Sequence, residues 1–208
     1  MTIDTKGRIQ GNRLCLDFVN LPFDPGDSRP RAGSWPQLID FMSDKGVVSG
    51  GKSEELRALP ESDPRAAETL LAQAERLGEG MRRAFTAILT NQRVHREAVE
   101  PINQILRVTE GHDELEWRGD RWRLGFLAKE EGLEWLLAAI ARSGAELIAE
   151  GTANRLRQCG NANCQVLFYD DSRTHRRRWC SMAHCGNRHK VAAFARRHST
   201  EKARAHHA

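Results

Sequence analysis

The stretch CGNANCQVLFYDDSRTHRRRWCSMAHC, residues 159–185, holds four of the chain's five cysteines. They fall as two C-x4-C pairs, Cys159 with Cys164 and Cys180 with Cys185, with fifteen residues between the pairs. Two paired thiols joined by a loop supply the four ligands of one tetrahedral Zn²⁺, and soft thiolates select zinc over oxygen-seeking Mg²⁺ or Ca²⁺. Gly160, Asn161 and Asn163 are turn-forming residues suited to curling the backbone around an ion. With all four positions taken by Cys159, Cys164, Cys180 and Cys185, the ion is structural, and its binding energy is folding energy for this segment. His184 and His189 flank the second pair and offer a substitute for one thiol. Disulfides are the less favoured reading, because no secretory signal accompanies the cysteines.

Between the pairs, Val166, Phe168 and Tyr169 read as a strand and Asp170-Asp171-Ser172 as a turn. Arg176 to Trp179 return toward the second pair. Beyond Cys185, the residues Val191, Phe194, Ala195 and His198 share one stripe of a helix that would cover the metal. A knuckle, a hairpin and a ligand-bearing helix describe a treble-clef-like finger. Trp179, next to a ligand, reads as a shield for the metal.

Charge is distributed unevenly. Residues 151–208 carry twelve Lys and Arg against three Asp and Glu, a net +9, which leaves −5 on residues 1–150. A basic tail on an acidic body implies a polyanionic partner for the tail alone. Arg173, Arg176, Arg177, Arg178, Arg188, Lys190, Arg196 and Arg197 are the candidate nucleic-acid contacts, since guanidinium forks match phosphate oxygens. Arg188 has a second reading, as a brace for the thiolates. A surface that docks onto protein, or one that is simply solvated, is the alternative for the whole set.

Working toward the N-terminus, Leu133, Leu136, Leu137, Ile140, Leu147 and Ile148 mark a long helix, expected to continue to Leu156 and deliver the chain to Cys159. Leu115 and Trp117, then Trp122, Leu124 and Phe126, alternate on either side of Gly119-Asp120. That is a hairpin with one apolar face and with Arg118, Arg121 and Arg123 near two tryptophans. Asp63-Pro64 opens the longest helical stripe, running to Leu89, with Gly78 and Gly80 marking a kink or a close crossing. A shorter helix covers Ile102, Ile105 and Leu106. Ser34 and Gln37 form a capping box for a helix that stops at Gly46. Residues 47–53 read as a flexible connection, 21–34 as a loop, and 7–18 as a short hairpin or strand. Cys15 is expected in the core, and Asp17 and Asn20 as braces for the turn that follows.

No nucleophile–base pair, His-rich metal motif or phosphate-binding glycine loop is present, so no enzymatic activity is expected. No run approaches twenty apolar residues, which argues against a membrane span, and MTIDTKGRIQ lacks the hydrophobic core of a signal peptide. A cytoplasmic location is expected. A small-molecule effector site in the body and a homodimer are open expectations.

The string Arg177-Arg178-Trp179-Cys180-Ser181, then Cys185-Gly186-Asn187-Arg188 and Lys190, with Cys159, Cys164, Phe168 and Asp171 upstream, resembles the CGNR-type zinc finger. Leu16-Asp17-Phe18-Val19-Asn20 resembles the opening of the ABATE domain that usually precedes it. The resemblance implies a bacterial stress-linked transcription regulator that binds duplex DNA through a finger holding one structural zinc. It also places the family signature on Gly186, Asn187 and Arg188. The fold expected is α+β: a mainly helical domain with small β-hairpins over 1–154, then the four-cysteine finger over 155–208. RNA binding, or a zinc-stabilised protein–protein interaction module, is the alternative function.

Overall fold

The computed structural model describes residues 13–21, 34–118, 121–129, 132–151 and 154–191. The expected loop over 21–34 lies mostly outside them, as do residues 7–12, Phe194, Ala195, Arg196, Arg197 and His198. Among the described residues the body holds seven helices and a hairpin: α1 Leu14–Val19, α2 Trp35–Asp44, α3 Gly50–Arg57, α4 Leu59–Ser62, α5 Pro64–Leu89, α6 Arg96–Val108, β1 Gly111–Arg118, β2 Arg121–Ala128 and α7 Trp135–Ala149. Two three-residue strands follow, β3 Leu156–Gln158 and β4 Leu167–Tyr169, paired antiparallel. No helix among the described residues is long and apolar enough to cross a membrane.

Helix α5 is the spine. Asp63 caps it, its Oδ1 accepting from the Ala66 N–H at 3.0 Å, and Pro64 sits at the first position, where its missing N–H costs nothing. Its buried stripe of Leu70, Leu77, Met81 and Phe85 packs in one core with Leu16 and Phe18 of α1, Ile102 of α6, and Leu136, Leu137 and Ile140 of α7. Of the two readings for its paired glycines, Gly80 marks a close crossing: a Cβ there would lie 2.7 Å from the Ala98 carbonyl oxygen and 3.1 Å from Pro101 Cγ on α6. Gln37 completes the capping box on α2, its Oε1 accepting from the Ser34 N–H at 3.1 Å. The chain leaves α2 through Gly46, at φ +67°.

Three sequence expectations are corrected. Residues 14–19 are helical, not extended. Leu14, Leu16 and Phe18 alternate as in a strand, but the buried set is Cys15, Leu16, Phe18 and Val19, which is the face of a helix. Part of 47–53 is helix α3, capped by Ser49, whose Oγ accepts from the Lys52 N–H at 3.4 Å, and anchored by buried Leu56. The Trp35 indole N–H donates to the Leu56 carbonyl at 2.8 Å and ties α3 to α2. Helix α7 ends at Ala149, because Gly151 takes a left-handed conformation at φ +61° that stops the helix short of Leu156.

The expected β1–β2 hairpin forms, with Leu115 opposite Leu124 and Trp117 opposite Trp122. The Asp113–Arg142 ion pair, at 3.0 Å, ties it to α7. Cys15 is buried as expected; burial pushes its thiol up to about 11, against a lowering hydrogen bond with Ser143.

Candidate metal centre and its basic surround

Strand β4 is a wall with two faces. Leu167 and Tyr169 enter the body's core together with Leu156 of β3, while Val166 and Phe168 pack with the four cysteines. Successive strand residues point to opposite sides, so one short strand serves both clusters.

Its edge is held by Asn20. Ladder bonds fall on Cys159 N–H to Val166 O at 2.9 Å and Asp170 N–H to Arg155 O at 2.7 Å. Antiparallel pairing alternates, so the backbone groups of Leu167 face away from β3. The Asn20 amide meets both: Nδ2 donates to Leu167 O at 2.7 Å, and the Leu167 N–H donates to Oδ1 at 3.0 Å. Arg13 adds a second tie, chelating Glu150 at 3.0 Å with its guanidinium 4.5 Å above the Tyr169 ring. The Asp17 carboxylate braces α1 to Lys45 at 2.7 Å. Asn20 thus bonds to a residue 147 positions away as well as standing at its own turn.

The four cysteine sulfurs lie within 4.8 Å of one another, and all four residues are buried. Cys164 Sγ is 3.8 Å from Cys180 Sγ, which is 3.7 Å from Cys185 Sγ. A tetrahedron with Zn–S bonds of about 2.3 Å has edges of about 3.8 Å. The cluster therefore fits one structural Zn²⁺ held entirely by sulfur. His184 stands outside it, with Nδ1 3.4 Å from Ser181 Oγ, and the His189 ring stacks 4.7 Å from the Trp179 ring.

Burial acts to raise the thiol pKa of Cys159, Cys164 and Cys180. For Cys159 the N–H groups of Cys180 and Asn161 outweigh that and bring it below its ordinary value. Cys164 is pushed up to about 11 by burial and by Cys159, and Cys180 further by burial and by Cys164 and Cys159. Four thiolates at such spacing repel one another strongly, and a divalent cation is what makes their joint ionisation favourable.

The backbone around the sulfurs is shaped for them. The Cys164 N–H donates to Asn161 O at 2.8 Å, the Gly160 N–H to Arg178 O at 2.8 Å, and Asn161 Nδ2 reaches Cys185 Sγ at 3.7 Å. Cys185 is delivered by a π-helical turn, Met182–Gly186, with Ser181 Oγ accepting from the His184 N–H at 3.3 Å. At Gly186 a Cβ would lie 2.8 Å from Met182 Sδ, in a flexible and exposed side chain, and 3.4 Å from Trp179 Cδ1. Asn187 is exposed on the helical backbone that follows. Trp179 is half-buried against the cysteine cluster, as a shield should be.

Of the basic residues singled out from sequence, Arg173, Arg176, Arg178, Arg188 and Lys190 line the surface around the finger. Arg178 lies with its guanidinium 5.1 Å from the Trp179 ring. Arg177 is engaged within the finger: Nε donates to Trp179 O at 2.9 Å, Nη2 to Cys180 O, and the guanidinium sits 4.7 Å over Phe168. Asp170 is a site residue the sequence reading treated only as part of a turn. It is fully buried; Oδ1 accepts from Ser172 N–H at 3.1 Å and Ser172 Oγ–H at 2.6 Å, and Oδ2 from Arg177 N–H at 2.9 Å. Burial would raise its pKa, and these hydrogen bonds, with His175 nearby, bring it below the usual carboxylate range. The D-x-S pattern of an Asx-type turn was the available signal.

A family model for ABATE, described as "Putative stress-induced transcription regulator", matches residues 12–151, and a model for the CGNR zinc finger matches residues 155–198. Both describe regulatory rather than catalytic domains. No curated protein matches the chain.

Proposed function

Since the chain belongs to the ABATE family of transcription regulators and carries a CGNR zinc finger, we propose that it is a cytoplasmic, zinc-dependent regulator that binds duplex DNA. The acidic body spans 1–154 and the basic finger 155–208. Cys159, Cys164, Cys180 and Cys185 hold the zinc. Arg173, Arg176, Arg178, Arg188 and Lys190 contact phosphate, joined by Arg196 and Arg197 from beyond the described residues. Arg177 contributes by fixing the loop that carries Arg176 and Arg178.

The observation that carries this reading is the set of exposed cations Arg173, Arg176, Arg178, Arg188 and Lys190 on the segment that holds the buried cysteine cluster, in a chain that is otherwise acidic. A zinc with four thiolates carries −2, so the finger still keeps about +7 of its +9. Such contacts give affinity and register; sequence choice would come from side chains on the helix after Cys185.

The test is fluorescence anisotropy of the zinc-loaded chain on random duplex DNA across salt. Binding should weaken with a log–log slope of roughly −0.9 for each phosphate neutralised. The double variant Arg176→Ala/Arg178→Ala should flatten that slope by about two contacts while retaining one zinc. Absence of duplex binding at low salt with zinc fully loaded would overturn the reading in favour of protein docking.

A further inference from the structure

Toward its tip the β1–β2 hairpin carries three large apolar side chains that no described residue covers. Leu115 is 60% exposed, Trp117 58% and Trp122 63%, and the two indoles meet edge-on with centroids 5.4 Å apart. With roughly 250 Å² for a whole tryptophan side chain, the indoles leave about 300 Å² in water, and Leu115 brings the patch to roughly 400 Å². A patch of that size matches the largest apolar patch of a typical monomer, which is often functional.

Register decides what can sit there. Opposed residues of an antiparallel pair share a face. One face therefore takes positions 111, 113, 115 and 117 with 122, 124, 126 and 128. Its one charged position, Asp113, is paired with Arg142 at 3.0 Å. The opposite face takes positions 112, 114, 116 and 118 with 121, 123, 125 and 127, which include every arginine position of the hairpin. A nucleic-acid strand stacking on tryptophan needs cations beside the rings. Here the register puts the arginine positions on the other side and a carboxylate with the tryptophans.

We infer that this face docks the same face of a second copy of the chain. The patch has no unpaired charge to repel its twin, and it is large at the tryptophan end and smaller at Leu115. A twofold axis through the sheet would set the tryptophans of each copy against the Leu115 end of the other, the self-complementary arrangement a symmetric dimer requires. Two such patches remove on the order of 800 Å² from water, less than the roughly 1,000 Å² of a stable interface, so the dimer is weak and transient, forming at tens to hundreds of micromolar. The inference does not depend on what the finger binds.

Sedimentation velocity on the full-length, zinc-loaded chain between about 1 and 200 µM tests it. The weight-average mass should climb from 23.5 kDa toward twice that value, with no weakening by added salt. Trp117→Lys/Trp122→Lys should raise the dissociation constant at least about 30-fold. Leu115→Lys should act in the same direction, and it keeps the test decisive if the tryptophan pair proves necessary for folding. Glu114→Ala, on the opposite face, should change nothing. A chain monomeric throughout, variants that associate like wild type, or association only with single-stranded DNA present would each overturn it.

Discussion

Asn20→Ala removes one side chain from the body and exposes two backbone groups in the finger. The Leu167 N–H and C=O, pointing away from β3, lose their partners while the residue itself stays buried. Each buried unsatisfied backbone group costs about 1–3 kcal/mol, and water entering beside half-buried position 20 recovers part of that. A loss of about 2–4 kcal/mol is expected, or roughly 5–15 °C in Tm for a chain of this size. Asn20→Asp keeps the shape but replaces the Nδ2 donor with a charged oxygen against Leu167 O, and should cost at least as much. The assay is urea unfolding of the zinc-loaded chain, following helix by circular dichroism and zinc by a chromogenic chelator. Because Leu167 and Tyr169 belong to the body's core, both signals should move to lower urea together. A shift below about 0.5 kcal/mol, or zinc release that moves while helix loss stays put, would refute the reasoning.

Arg177→Ala should weaken zinc retention about 10- to 100-fold, since its guanidinium holds the carbonyls of Trp179 and ligand-bearing Cys180. Arg177→Lys should not rescue it, and Arg176→Ala should leave zinc affinity unchanged in the same competition titration. Gly80→Ala improves helix propensity by about 1 kcal/mol but drives a Cβ against the Ala98 carbonyl; thermal unfolding should show a net loss of about 1–2 kcal/mol. Cys15, buried and with its thiol pushed up to about 11, should remain unmodified by a thiol-specific disulfide reagent at about pH 8 while the zinc-loaded chain is folded.

The symmetry of the two cysteine pairs and the residues around them point to the metal centre. Two C-x4-C pairs among turn-formers announce a tetrahedral site whatever the body does, and the sulfurs converge as that reading requires. Helix α5 was equally plain, because Asp63-Pro64 and a long apolar stripe are local signals that agree. Short α1 misled because six residues carry too few turns to distinguish a period of two from 3.6. The ties between body and finger were invisible for a different reason. Asn20 and Leu167 stand 147 residues apart, and nothing in either neighbourhood announces the other. Asp170 and Arg177 look like an ordinary turn and one of three consecutive arginines, yet one is fully buried and the other binds the finger's own carbonyls. Clustered charge gave the sign of the surface; it could not say which cations the fold consumes.

X-ray absorption at the zinc edge of the purified full-length chain, with metal counted per chain, bears most directly on the proposed centre. One zinc per chain with a first shell of four sulfurs at about 2.3 Å is the expected result. A first shell containing a nitrogen at about 2.0 Å would place His184 or His189 on the metal and contradict the four-thiolate assignment.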